Sequence, residues 1–312
     1  MSRKLNEHNQ KYSHPSVQAL LAEYPQQSDP KKIIVNLAQE KRRVALKYGW
    51  EGPAYCPLTF CSLFGISCQE ANHEIGSDGR IFPREGGKAL IEYRGDRPEE
   101  RIRFTIFHEF VHTLFPDFCT YGVRHHNLRS TLSDAEKQFE RLCDKGAAEL
   151  LLPTEDFLRD LDSSESFSFE ELLALRARYG ASIDACCIRT AELERELSYA
   201  FMFLSVNPEE PDVMTVRYSA KTSQFRTYIP NGLKVPLNSV AFDALRLQHG
   251  GCTQFVQETL WMGKGSRTFW VRAMRLDDVV GMPDYPRVLL QLSPKKEITR
   301  PLKSQPDLFY RS

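Results

Sequence analysis

The stretch RFTIFHEFVHTLF, residues 103–115, constrains this chain more than any other. Wound as a helix, FHEFVHTLF brings Phe107, Phe110, Val111, Leu114 and Phe115 to i, i+3, i+4, i+7 and i+8, one apolar stripe that must be buried. His108 and His112 then lie one turn apart on a neighbouring face, where their imidazoles can converge on one point. This H-E-x-x-H spacing suits two nitrogen ligands to zinc, with Glu109 beside the ion's open position. The aromatic stripe would anchor the helix so that the ligands are positioned in advance.

Zinc at a catalytic site needs a third protein ligand, leaving one position for water. The segment EKQFERLCDKGAAELLLP reads as a second helix, from about Asp134 to Leu152, stopped by Pro153. Its Glu140 and Asp144 are spaced i, i+4 and share a face. Glu140 is the candidate third ligand. Asp144, one turn on, is the candidate acceptor for the free ring N–H of a ligating histidine. The competing reading makes both a solvated acidic face; against it, Gly146, Ala147 and Ala148 make the helix slim enough for close packing, and Glu149 points elsewhere. In the connecting loop, Tyr121, Arg124, His125 and His126 are weak candidates for a group that stabilises an oxyanion.

Lysine plus arginine and aspartate plus glutamate are equal at 41 each, so no global footprint for nucleic acid or an anionic membrane exists. No secretory leader and no stretch of membrane-spanning length is evident, and a cytoplasmic protein is expected. Eight cysteines lie scattered without a C-x-x-C pair and read as buried free thiols.

Elsewhere, periodicity predicts a short helix near SVQALLAEY, a helix over KKIIVNLAQEKRRVALKY, a short helix at PLTFCSLFGI, and strands with a Gly-Gly turn in DGRIFPREGGKALIEY. Residues 168–196 outline a helix–turn–helix, with Gly180 and Ser182 between two helices. After Tyr199 the texture becomes alternating: YAFMFLSV, VMTVRYSA, QFRTYIP, TQFVQETLWM, RTFWVRAMRL and RVLLQL read as strands around one helix at VAFDALRLQ. The second helix of the helix–turn–helix carries only Arg189 before Arg195, with acids beside them, which suits packing better than reading a DNA groove.

DGRIF, RIRFTIFHEFVH, FERLCDKGAAELLLP and RYGASIDACCIRTAEL, in that order over about residues 35–195, resemble the ImmA/IrrE family of metallopeptidases. The resemblance implies His108, His112 and Glu140 as zinc ligands, Glu109 as the catalytic glutamate, and a protein substrate, namely a helix–turn–helix transcriptional repressor cut in a stress or mobile-element response. It also implies a C-terminal domain like the GAF sensor fold found in some relatives. The chain departs from the usual AHELGH pattern at Phe107 and Val111. Near the centre of the second helix the family usually has alanine, asparagine or aspartate, and phenylalanine, where this chain has Cys143, Asp144 and Gly146, changes expected to touch packing and not metal chemistry.

The resulting expectation is an α+β protein. It comprises an N-terminal extension (1–30), a mostly helical zincin-like metallopeptidase domain with a small sheet (31–160), a helix–turn–helix-like segment (161–197), a C-terminal α+β domain, GAF-like in outline (198–296), and a tail (297–312). The cofactor expected is zinc, with manganese as the alternative ion in use. No membrane partner and no direct nucleic-acid partner are expected. The alternative function is a zinc-containing regulator that binds protein or DNA without cutting.

Overall fold

The computed structural model describes residues 12–72, 75–120, 124–125, 132–162, 167–207, 209–263, 265–276 and 286–296. The chain forms two compact units, one of Met1–Asp156 with Leu175–Ser182, the other of Phe157–Ala174 with Ile183–Ser312. This division differs from the five expected segments: residues 161–197 are shared between the units and do not stand as a segment of their own.

In the first unit, α1 (Pro15–Glu23), α2 (Pro30–Lys47) and α3 (Pro57–Leu63) each begin on a proline, whose fixed φ and missing N–H suit a first helical turn. A four-stranded sheet follows, built from β1 (Ile66–Glu70), β2 (Gly79–Pro83), β3 (Ala89–Tyr93) and β4 (Arg124–His125) in the order β1-β3-β2-β4. β2 and β3 pair antiparallel as predicted, with Gly86 and Gly87 both at positive φ in the turn. β1 pairs parallel to β3. It was not foreseen, because only Ile66 of its five residues is buried and no alternation marks it.

α4 (Glu99–His112) carries the central motif and α5 (Asp134–Leu151) packs against it. Glu99 and Glu100 lie in α4's first turn, where negative charge opposes the helix dipole favourably. α4 ends at His112, earlier than the predicted stripe: Thr113 and Leu114 donate to Phe110 and Val111 three residues back, tightening the chain while Leu114 and Phe115 stay buried. α5 opens on a reciprocal cap: the Ser133 N–H donates to Glu136 Oε2 at 2.7 Å, and the Glu136 N–H donates to Ser133 Oγ at 3.2 Å. After Pro153 a further helix, α6 (Thr154–Asp162), starts at once. Buried Glu149 accepts from the Thr154 N–H and hydroxyl at 3.0 and 2.7 Å, which confirms that this acid points away from the motif.

α7 (Phe169–Tyr179) and α8 (Ile183–Leu193) are the two helices foreseen around Gly180, which adopts a left-handed φ of 57°. Arg189 on α8 is buried, with Glu192 at 3.7 Å.

The second unit is built on a six-stranded antiparallel sheet in the order β7-β6-β5-β10-β9-β8. Its strands are β5 (Ala200–Asn207), β6 (Glu210–Lys221), β7 (Lys234–Pro236), β8 (Val256–Trp261), β9 (Ser266–Arg275) and β10 (Arg287–Ser293). Central β5 is buried on both faces. Ala200, Met202, Leu204 and Val206 join a core with Val240, Ala241, Phe242 and Ala244 of α9 (Val240–Ala244). On the other face Phe203 stacks on Tyr218 at 4.4 Å, and Phe201 packs edge-on to Tyr199. The predicted strand QFRTYIP is an irregular segment. Phe225 and Ile229 are buried in the core while Tyr228 is exposed, an alternation produced by loop anchoring instead of ladder bonds. Among the described residues no helix is long and apolar enough to cross a membrane.

Candidate metal centre

α4 is fixed from behind by aromatic rings. Phe60 of α3 lies 5.6 Å from Phe107 and 4.8 Å from Phe110, centroid to centroid, and Trp50 meets Phe107 edge-on at 6.2 Å. Each fully buried phenylalanine contributes about 1.5–3 kcal/mol of burial free energy, so rotating α4 to aim its histidines elsewhere would expose several such side chains. At the front, Gly146 lets α5 approach: a Cβ there would stand 2.8 Å from both methyls of Val111 and 2.9 Å from Ile34 Cγ2.

This approach brings the histidines to α5. His108 Nε2 lies 3.0 Å from Glu140 Oε2, and its Nδ1 lies 3.1 Å from Asp144 Oδ1. Burial disfavours charge on His108, but the hydrogen bonds and charges of Asp144 and Glu140 outweigh it and raise its pKa to about 10. His112 Nδ1 lies 3.6 Å from Cys143 Sγ, and His112 Nε2 lies 4.0 Å from Glu109 Oε2. His108, Glu109, His112 and Glu140 are all buried, and Asp144 is partly so.

Glu109 is the anomaly. It is 0% exposed, and neither carboxylate oxygen has a hydrogen-bond partner among the described residues. Burial raises its pKa to about 8, with His108 pulling down and Glu140 pushing up. A buried carboxylate in this condition is costly unless a charge or a reacting group completes its surroundings.

The donor set fits a divalent ion. Tetrahedral zinc with bonds near 2.0–2.1 Å sets its N and O ligands about 3.3 Å apart, close to the His108–Glu140 separation. Ligand atoms of His108, His112 and Cys143 also lie within 4.8 Å of one another. The participation of Cys143 corrects the expectation that this position concerns packing alone: its sulfur is fully buried and touches a histidine of the motif. The signal was present in the spacing, since residue 143 is i+3 from Glu140 and adjacent to Asp144. Two donor sets are therefore in reach, the histidines with Glu140 or with Cys143. His108 Nε2 faces Glu140 and His112 Nε2 faces Glu109, while among the described residues the group whose ligand atoms all lie within 4.8 Å of one another is the one with Cys143.

β2 closes the site. A Cβ on Gly79 would fall 2.5 Å from Thr105 Cγ2 and 3.2 Å from Glu109 Cγ and Oε1, so the strand passes directly over the buried carboxylate. Among the loop candidates, Tyr121 and His126 lie outside the described residues, and for Arg124 and His125 only the backbone is described, as β4 paired with Ile81 and Arg80.

Residues 61–191 match the sequence profile of the peptidase M78 family, described as the IrrE N-terminal-like domain. This segment is similar to the IrrE N-terminal-like domain. The match spans β1 to α8 and so includes every residue of the candidate centre. Among solved structures, a Mycobacterium tuberculosis transcriptional regulator is similar in fold, with a TM-score of 0.51 at 17% identity over 82% of this chain and 76% of that one. No curated protein matches.

Proposed function

We propose that this protein is a zinc-dependent endopeptidase that cuts a specific protein substrate, with His108, His112 and Glu140 as metal ligands, Glu109 as general base and Asp144 as the support for His108. The observation that carries this reading is the buried carboxylate of Glu109, without a hydrogen-bond partner among the described residues and beside two histidines and a third acid. When bound, the ion supplies Lewis-acid chemistry, acidifying a water and polarising a carbonyl. Glu109 takes the proton of the attacking water and delivers it to the leaving nitrogen. Asp144 accepts the His108 Nδ1–H, which fixes that ring so that, with the ion bound, Nε2 would be deprotonated and offered to the ion beside Glu140. Zinc is favoured by the nitrogen and carboxylate donor set, and manganese is the alternative.

The substrate class proposed is a helix–turn–helix repressor. The family resemblance supports it, and the fold likeness to a transcriptional regulator is compatible with it. A GAF-like sensor role for the second unit is proposed from its six-stranded antiparallel sheet, and a cytoplasmic setting accords with an intracellular repressor as substrate. A direct DNA role is disfavoured by the burial of Arg189.

The test is incubation of wild-type and Glu109→Gln protein with candidate repressors, with and without zinc. Glu109→Gln is expected to keep its zinc and to lose cleavage by at least about 100-fold. Cleavage at the wild-type rate would remove Glu109 from the reaction.

A further inference from the structure

The two histidines of the motif are held from the same helix by adjacent residues. Asp144 faces Nδ1 of His108, and Cys143 faces Nδ1 of His112. We propose that Cys143 is the positioning residue of His112: its sulfur accepts the Nδ1–H and holds the tautomer whose Nε2 lone pair is offered to the divalent ion. This rests on the reading of His112 as a metal ligand.

A ligating histidine needs its second nitrogen engaged, because the partner there decides which nitrogen carries the proton and how the ring is turned. At 3.6 Å the sulfur is within reach of an N–H donor, and Cys143 and His112 are both 0% exposed. The opposite edge of the ring, Nε2, faces Glu109 at 4.0 Å, the side on which a reacting water must lie. Sulfur bonded directly to the ion would require His112 to ligate through Nδ1. The ion would then sit on the ring edge turned away from Glu109, an arrangement in which ligand atoms of His108, His112 and Cys143 lie within 4.8 Å of one another and which the cobalt spectrum below distinguishes. Sulfur is a weak acceptor beside a carboxylate, so its effect belongs at the low end of such outer contacts.

The full chain is tested in three ways. Zinc affinity, read by chelator competition, should fall about 10-fold in Cys143→Ala. Cobalt(II)-loaded wild-type protein should show no thiolate-to-metal charge-transfer band. Nitrogen-15 spectra of histidine-labelled, zinc-loaded wild-type protein should show His112 protonated at Nδ1, a readout that needs no variant to fold. Unchanged zinc affinity in Cys143→Ala, a charge-transfer band that this variant loses, or His112 protonated at Nε2 would each overturn the proposal. His112→Ala separates the two levels. If it binds zinc as tightly as wild type, the reading of His112 as a ligand fails. If it loses zinc while Cys143→Ala does not, only the role given to Cys143 fails.

Discussion

Glu109 cannot move without β2 moving, because the backbone of Gly79 lies where any side chain would meet both Glu109 and Thr105. At 2.5 Å the contact of a new Cβ with Thr105 Cγ2 is impossible, and at 3.2 Å the contact with Glu109 requires a shift of a few tenths of an ångström. Displacements of about 1 Å at a reacting group cost up to 100-fold in rate. Gly79→Ala is therefore expected to lower cleavage by about 10-fold while zinc content stays at one ion per chain by metal analysis. Adding Thr105→Ser removes the clashing methyl and should recover most of the loss. A double variant no better than the single would show that the strand, not the Thr105 contact, governs the effect. Residue chemistry of this kind was partly legible in the sequence. His108, Glu109, His112, Glu140 and Asp144 declare themselves through i, i+3 and i+4 spacing on two helices. Gly79 does not, since it acts through a missing side chain, and Cys143, although i+3 from Glu140, resembles an ordinary core thiol.

At the scale of elements, the site depends on how β2 and α5 are fastened to α4. Asp78, just before β2, accepts from Arg97 Nε and Arg101 Nε at 2.8 Å each, tying the strand to the N-terminal end of α4. Burial raises the Asp78 carboxyl pKa, but the two arginines outweigh it and hold it below the ordinary carboxylate value. A depressed folded pKa gives stability that is present above the unfolded value, about 3.9, and is lost as pH falls through the folded value. Asp78→Asn should thus cost about 1–2 kcal/mol at pH 7, discounted for the exposure of Arg101, with the gap to wild type closing below about pH 4. Urea unfolding of both proteins at the two pH values measures this, and a gap that persists in acid would assign the effect to something other than the charge.

On the opposite side, Gly146→Ala gains about 1 kcal/mol of helix propensity but forces Val111 and Ile34 aside, which costs about 1–3 kcal/mol. The overpacking should win, lowering Tm and spreading α4 from α5, and Val111→Ala should restore both Tm and zinc binding. The sequence disclosed these helices because each has a period, and α5 also has a capping box. It concealed β1, which shows no alternation, and α6, whose start directly behind Pro153 is fixed by the carboxylate of Glu149 at the end of the preceding helix.

At the scale of the molecule, the sequence suggested consecutive segments with boundaries near residues 160 and 197, yet the compact units are interleaved along the chain. Leu175–Ser182 belongs to the first unit, and in it Tyr179 and Ala181 are buried and Gly180 meets Arg103 and Ala54. Phe157–Ala174 belongs to the second, with Phe157, Phe169 and Leu172 fully buried. Periodicity reports which residues of a helix are buried but not in which core, so this crossing could not be read from the pattern. A fragment ending at Asp156 lacks Tyr179 and its neighbours, losing about 2–3 kcal/mol of burial for each large side chain removed. A fragment ending at Glu196 keeps them but leaves Phe157, Phe169 and Leu172 without the core they belong to. Both fragments are expected to melt below the full chain and to bind more of a hydrophobic dye, the longer one more than the shorter. Zinc should raise the Tm of either, since an ion that binds only the folded form stabilises it by mass action. A 1–156 fragment that melts at the temperature of the full chain would mean that Leu175–Ser182 contributes nothing to the unit it is folded with.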